Sequence, residues 1–185
     1  MSVTQITITE ALAELNTISK RVLKKKEFVN TYLARPEGLK DPLEKAGGSV
    51  KVLREELQAI KDLLMRHVSI RIAIQRSNQE TPITVGGTTK SVAEWLTWRK
   101  EVAPSIQTFN ATMRHTLDQT RRQAQQRGAA VVSASVSVAG DAKPTDFVVN
   151  VDEAELNADA ETLENILGTL DGQLSLKNAT VTISI

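Results

Sequence analysis

Residues that could carry out chemistry are few in this sequence and lie far apart. The 185 residues include no cysteine and two histidines, so thiolate chemistry is excluded and a histidine-based metal site has little to draw on. Asp152, Glu153 and Glu155 form an acidic group, but they lack the alternating oxygen ligands, central glycine and closing glutamate of an EF-hand loop. We therefore interpret His67 and His115 as packed or surface residues, and we predict no metal site.

The paired glycines Gly86-Gly87 are the one feature that could be mistaken for a phosphate-binding loop. No Gly-Lys-Ser/Thr follows them, and the chain contains no Gly-x-Ser-x-Gly nucleophile motif. The sequence thus predicts no catalytic residue and no cofactor, and it favours a protein that is not an enzyme.

Basic side chains cluster at two places and could contact nucleic-acid phosphates. Such clusters are also common on solvated helix faces and near helix C-termini, where they interact favourably with the helix dipole. Nucleic-acid binding is therefore kept as an alternative that is not favoured. The candidate basic patch consists of Lys24, Lys25, Lys26, Arg114, Arg121 and Arg122.

Two tryptophans three residues apart, Trp95 and Trp98, suggest different roles. We expect Trp95 in a core and Trp98 at a partner contact, because tryptophan is enriched at interface hot spots. The last seven residues, ATVTISI, alternate in polarity and could add a strand to a neighbouring chain. The candidate partner interface is therefore Trp98, Val181, Ile183 and Ile185.

Three helices are needed to position these residues. Helical spacing of apolar residues predicts helices over about 9–34, 49–77 and 91–127. Ser91 and Glu94 have the spacing of a capping box, which places the start of the third helix. Gly86-Gly87 between two β-prone runs predicts a hairpin over 83–90. Pro104 predicts a kink or break near Val102 and Ala103. In the second helix Val50, Leu57 and Leu64 repeat every seven residues. The companion positions are Leu53, Ile60, His67 and Ile74.

Beyond Gly128 the pattern becomes typical of strands, which are predicted over 131–138, 147–151 and 179–185. A helix is predicted from Asp159 to Leu170 and ended by Asp171-Gly172. These elements would form a small β-α-β unit, completed by a strand of another chain or by residues 3–8 of the same chain. Residues 1–128 hold 21 Lys and Arg against 13 Asp and Glu, a net +8, and residues 129–185 hold 2 against 9, a net −7. This division predicts a helical body at 1–128 and an acidic β-containing region at 129–185, which attract each other within or between chains. No internal repeat is evident in the sequence.

The predicted fold class is α+β and mainly α. It combines an antiparallel three-helix hairpin or coiled-coil body, a short β-hairpin between the second and third helices, and a small C-terminal β-α-β unit. No stretch approaches the length of a membrane-spanning helix and no export signal is evident, so no membrane partner is expected.

The stretch IRIAIQRSNQETPITVGGTTKSVAEWLTWRK resembles the centre of the septicolysin-like family of small helical proteins. The residues that carry the resemblance are Ile74, Asn78, Thr81, Gly86 or Gly87, Ser91 and Arg99. It implies a helical-hairpin fold and does not extend beyond Gly128. A looser similarity of organisation is to bacteriophage virion proteins, in which helical bundles with β tails form rings.

The function that these features favour is structural. We expect a virion component of the head-to-tail adaptor or connector kind, assembled in the host cytoplasm, which forms homo-oligomers and binds other structural proteins. The alternatives are a cytoplasmic septicolysin-like module that binds an unknown ligand and a nucleic-acid-binding protein.

Overall fold

A computed structural model describes residues 4–134 and 142–185, which are mainly helical with small two-stranded sheets. The fold is of the α+β kind. Two compact units are present: one comprises the residues up to Thr81 together with Leu174–Ile185, and the other is Pro82–Gln173. The boundary predicted at residue 128 thus falls inside the second unit.

The first unit is built on two long helices, α1 (Ile8–Tyr32) and α2 (Ser49–Glu80). Ion pairs join Glu14 to Arg66 at 2.9 Å and Lys25 to Glu56 at 2.7 Å, so the two helices run in opposite directions. These helices confirm the predicted ranges to within three residues. The packing of a third helix against them stays a prediction. The core consists of Ile8, Ala11, Leu15, Ile18, Val22, Val29, Ile60, Ile70, Ile74 and Ile183.

The connection between α1 and α2 is held by one carboxylate. Asp41 accepts hydrogen bonds from the Ser49 backbone at 2.8 Å, the Ser49 hydroxyl at 2.5 Å and the Leu43 backbone at 2.9 Å. These bonds lower the pKa of Asp41 from its ordinary value to about 2, the Ser49 hydroxyl bond being the largest cause. Asp41 therefore caps the start of α2, where the N-cap residue Gly48 has no side chain to do so.

Both chain ends meet in a small sheet of the first unit. Strand β1 (Gln5–Thr7) pairs antiparallel with β6 (Thr182–Ser184). Beyond these strands, the backbones of Thr4 and Ile185 exchange two hydrogen bonds of 3.1 Å. Of the two alternatives for the C-terminal strand, the structure therefore shows pairing with the chain's own N-terminal strand.

The second unit begins with a hairpin, β2 (Pro82–Val85) and β3 (Thr88–Ser91), which confirms the predicted glycine turn. Gly86 and Gly87 have φ of 54° and 76°, the left-handed values that a tight hairpin turn requires and that glycine adopts without steric cost. Helix α3 (Val92–Thr97) follows, and a π-helical turn (Trp98–Val102) joins it to α4 (Ala103–Gln126).

Pro104 accounts for the π turn. It has no N–H to donate to the carbonyl one turn earlier, and the neighbouring Ala103 N–H reaches back five residues to the Trp98 carbonyl. The kink or break predicted near Val102 and Ala103 is thus a π-helical turn that ends at Val102, and the helix is not interrupted there.

The remainder of the second unit contains strands β4 (Val131–Ser133) and β5 (Phe147–Val149), which pair in parallel, and most of α5 (Glu153–Thr180). The predicted strand over 131–138 lies partly outside the described residues. Since β5 and β6 belong to different sheets, the predicted C-terminal β-α-β unit does not form one sheet.

The predicted end of α5 at Asp171-Gly172 is wrong. The helix continues to Thr180 because Leu170 and Leu174, on either side of that pair, are fully or nearly buried. A glycine inside a helix costs roughly 1 kcal/mol, which burial of one leucine offsets at about 1.5–3 kcal/mol.

The structure shows an internal repeat that the linear sequence did not suggest. Residues 61–85 and 161–185 have the same order of buried, half-buried and exposed positions at all but two of their 25 places. Both segments are a helix end followed by a strand. They share only Leu63/Leu163, Asn78/Asn178 and Ile83/Ile183.

The partner strands and the helices that follow them repeat as well. Thr7 and Ser91 each begin a helix with a capping box, and the helix N–H to cap-hydroxyl distance is 3.2 Å in both. Ile6 of β1 lies opposite Ile183 of β6. At the equivalent positions of the hairpin, Lys90 of β3 lies opposite Ile83 of β2. The hairpin β2–β3, here called the first ribbon, and the pair β1–β6, the second ribbon, therefore share one register. Among the described residues, the second ribbon has no counterpart of the Gly86-Gly87 turn.

Candidate interaction surface

The candidate basic residues are divided between the two compact units. Lys24, Lys25 and Lys26 belong to the first unit and the three arginines to the second. Lys25 pairs with Glu56, and Arg121 pairs with Asp118 and Glu153. These two cations are therefore already neutralised by carboxylates of the chain.

Ion pairs of the same kind tie the basic part of the chain to the acidic part inside the second unit. Arg99 lies 2.8 Å from Asp171, and Arg121 pairs with Glu153. The Glu153 hydrogen bond is the largest cause of the raised pKa of Arg121. Part of the predicted attraction between the two charge regions is thus satisfied within one chain.

The candidate partner residues fall mostly in packed positions. Ile183 is 5% exposed and belongs to the core of the first unit, and Val181 and Ile185 pack against that core. Trp98 is half-buried and packs edge-on against Trp95, with 5.5 Å between ring centroids. Trp95 is 3% exposed and donates a 3.0 Å hydrogen bond to the Ile83 carbonyl, as expected of a core residue.

A different set of residues forms an exposed surface that the sequence did not single out. Ile60 and Ile74 of α2 are buried, whereas the neighbouring apolar set seven apart, roughly 40–60° further round the helix, is exposed to solvent. Val50 is 76% exposed, Leu57 46% and Leu64 45%. Periodicity revealed both sets but not which one faces α1. The exposed set continues along the helix at intervals of three and four, and we call it the α2 stripe: Val50, Arg54, Leu57, Lys61, Leu64, Val68 and Ile72.

The α2 stripe combines aliphatic and basic side chains. At 1.5 Å per residue it runs for roughly 33 Å. Within residues 4–134 and 142–185, Arg54 and Lys61 have no acidic side chain at ion-pair distance. Contiguous exposed apolar residues of this kind mark binding surfaces far more often than scattered ones do.

Beside the stripe, α1 and α2 enclose a groove of about 290 Å³. The apolar side chains of Ile18, Val22, Leu23 and Leu64 line it, with Lys26 and His67 at its edges. The groove therefore offers the same combination of apolar and basic chemistry as the stripe that it adjoins through Leu64.

The internal repeat shows which residues the fold requires at the stripe positions. Helix α5 occupies the place of α2 in the second repeat, 100 residues later. There the fold tolerates polar, acidic or small residues at the same exposed positions: Leu57 corresponds to Asn157, and Leu64 to Glu164. We call this set the α5 face: Ala154, Asn157, Glu161, Glu164, Gly168 and Gly172. The fold itself thus does not require an apolar stripe on α2.

Comparison with known proteins gives no relative. No family model matches the chain, and no curated protein or solved structure matches it significantly.

None of the helices within 4–134 and 142–185 has both the length and the hydropathy that a membrane-spanning segment needs. In the same ranges, no group of three or more histidine or acidic side chains is arranged to hold a metal ion.

Proposed function

We propose that the protein is a non-catalytic assembly protein that binds neighbouring subunits through the α1–α2 hairpin. The observation that carries the proposal is the α2 stripe, whose aliphatic residues are 45–76% exposed. Exposing several large aliphatic side chains costs free energy that burial at an interface recovers, at roughly 25 cal/mol per Å². A protein retains such a surface at low cost when another molecule covers it.

The proposed setting is a bacteriophage virion, in which the protein acts as an adaptor or connector between structural components. This setting draws on the organisation of a helical hairpin with charge regions of opposite sign. Portal, terminase and tail genes beside the coding sequence would support it. Purified particles of that phage without the chain, judged by mass spectrometry, would contradict it.

Self-association of the purified chain tests the proposal directly. Light scattering across a concentration series should show a mass above the 20.2 kDa monomer that rises with concentration. The variant Val68→Asp places a charge in the stripe, and we expect it to weaken association at least about tenfold, since an unpaired buried charge costs more than 1.4 kcal/mol.

The control variant is Ser69→Asp, which adds the same charge at an exposed position of α2 next to the stripe. It should associate as the wild type does. A wild-type chain that stays monomeric at every concentration would contradict the proposal, as would equal effects of the two variants.

A further inference from the structure

The two repeats carry surfaces of opposite character at the same place. The α2 stripe presents aliphatic side chains with Arg54 and Lys61 between them, and the α5 face presents Glu161 and Glu164 with small residues. Where α2 has Lys61, the repeat has Glu161. Such charge complementarity is what steers two surfaces together and sets their register.

The shapes of the two surfaces also match. The residues from Arg54 to Ile72 and from Ala154 to Gly172 each cover roughly 27 Å of helix. A side chain built at Gly168 or Gly172 would meet nothing within 4 Å, so these positions leave open space above the helix backbone. Aliphatic side chains of a second helix can approach closely there, as large residues do when they pack against small ones.

We infer that the α2 stripe of one copy binds the α5 face of a second copy. The inference rests on the proposed function and names its partner. Because the two surfaces are different, the contact is heterologous, and each copy keeps one free surface of each kind. Such contacts close into rings or extend into filaments, which is the geometry that a connector needs.

Charge complementarity favours this partner over the others. A second α2 stripe would bring Arg54 and Lys61 against their own copies, which is repulsive. An anionic membrane would attract the same cations, but only a second copy supplies the acidic α5 face, which lies at the equivalent place of the repeat.

Charge exchange between the two surfaces tests the inference. One variant carries Arg54→Glu with Lys61→Glu, and the other carries Glu161→Lys with Glu164→Lys. In either variant both surfaces have charges of one sign, so each alone should associate at least about tenfold more weakly than the wild type. An equimolar mixture should recover association, because both possible contacts then join opposite charges.

The matched control is Arg21→Glu with Lys24→Glu, which reverses one arginine and one lysine at exposed positions of α1. It should associate as the wild type does. Sedimentation velocity in low salt and in 0.5 M NaCl would measure all samples, and high salt should weaken association of the wild type.

The outcomes separate the two proposals. If the exchanged variants associate as the wild type does while Val68→Asp still weakens association, the stripe binds a surface other than the α5 face, and only this inference fails. The same holds if the mixture does not recover. If the wild type is monomeric, both fail, and binding to vesicles of anionic lipid that Lys61→Glu removes would then assign the stripe to a membrane surface.

Discussion

A disulfide between β1 and β6 would test quantitatively whether these two strands pair in the folded protein. Gln5 and Ser184 face each other across β1 and β6, and both are exposed. The neighbouring pair, Thr4 and Ile185, exchanges both backbone hydrogen bonds, so Gln5 and Ser184 form a non-hydrogen-bonded pair with Cα atoms about 4.5 Å apart. This distance lies within the range that disulfides accept, and the chain has no other cysteine to compete.

The variant Gln5→Cys with Ser184→Cys would close a loop of about 180 residues, for which chain entropy predicts a stabilisation of about 5 kcal/mol. A matched control exists in the other ribbon, where the hydroxyls of Thr84 and Thr89 lie 2.8 Å apart at the equivalent pair. Thr84→Cys with Thr89→Cys closes a loop of only about six residues, for which chain entropy predicts a stabilisation of about 2 kcal/mol.

The expected difference between the two disulfides is therefore about 3 kcal/mol, or about 6–12 °C in Tm for a chain of this size. Calorimetry of each variant, oxidised and reduced, would measure it. If the oxidised Gln5→Cys/Ser184→Cys variant has the same Tm as its reduced form, the pairing of β1 with β6 is refuted. Equal gains from the two disulfides would refute the reasoning from loop length.

Three further substitutions test individual contacts. Thr7→Ala removes the capping box of α1 and should cost about 1 kcal/mol in urea unfolding; an unchanged midpoint would contradict the cap. Trp95→Phe removes the hydrogen bond to the Ile83 carbonyl and should cost about 1–3 kcal/mol, whereas Trp98→Phe keeps that bond and should cost less. Asp41 has a pKa of about 2 when folded and 3.8 ordinarily, so its contribution to stability is present above pH 4 and is lost as the pH falls towards 2. Asp41→Asn should lower the urea midpoint at pH 7 and flatten its fall between pH 4 and 2, and parallel profiles would contradict this.

Local signals predicted the elements well where a single physical rule decides them. The Ser91–Glu94 capping box, the Gly86-Gly87 turn and the helix irregularity before Pro104 follow from hydrogen-bonding capacity and allowed backbone angles alone. The same rule applies to Thr7 and Glu10, which also form a capping box. The start of α1 was predicted at Thr9 instead, so that signal was present in the sequence and overlooked.

The interaction surface could not be predicted, because periodicity identifies apolar sides of a helix without saying what covers each one. Leu57 and Ile60 are both aliphatic and both belong to regular heptads, yet one is 46% exposed and the other 8%. Only the position of α1 distinguishes them. The course of α5 through Gly168 and Gly172 likewise depends on burial of Leu170, which is a tertiary effect.

The order of the repeats along the chain explains why the linear sequence did not show them. The first ribbon is continuous through Gly86-Gly87, whereas the second joins the C-terminal strand to the N-terminal strand. One offset of 100 residues relates α2 to α5, and another of 84 relates the start of α1 to α3. No single offset therefore aligns both parts of the repeat. The three identical residues are too few to make the repeat visible in the sequence. What the repeats share is burial and backbone geometry, and where their exposed helix faces differ, one is basic and aliphatic and the other acidic and small. Head-to-tail assembly from one chain requires two different, complementary surfaces on that chain. The repeat would supply them in the assembly that we propose.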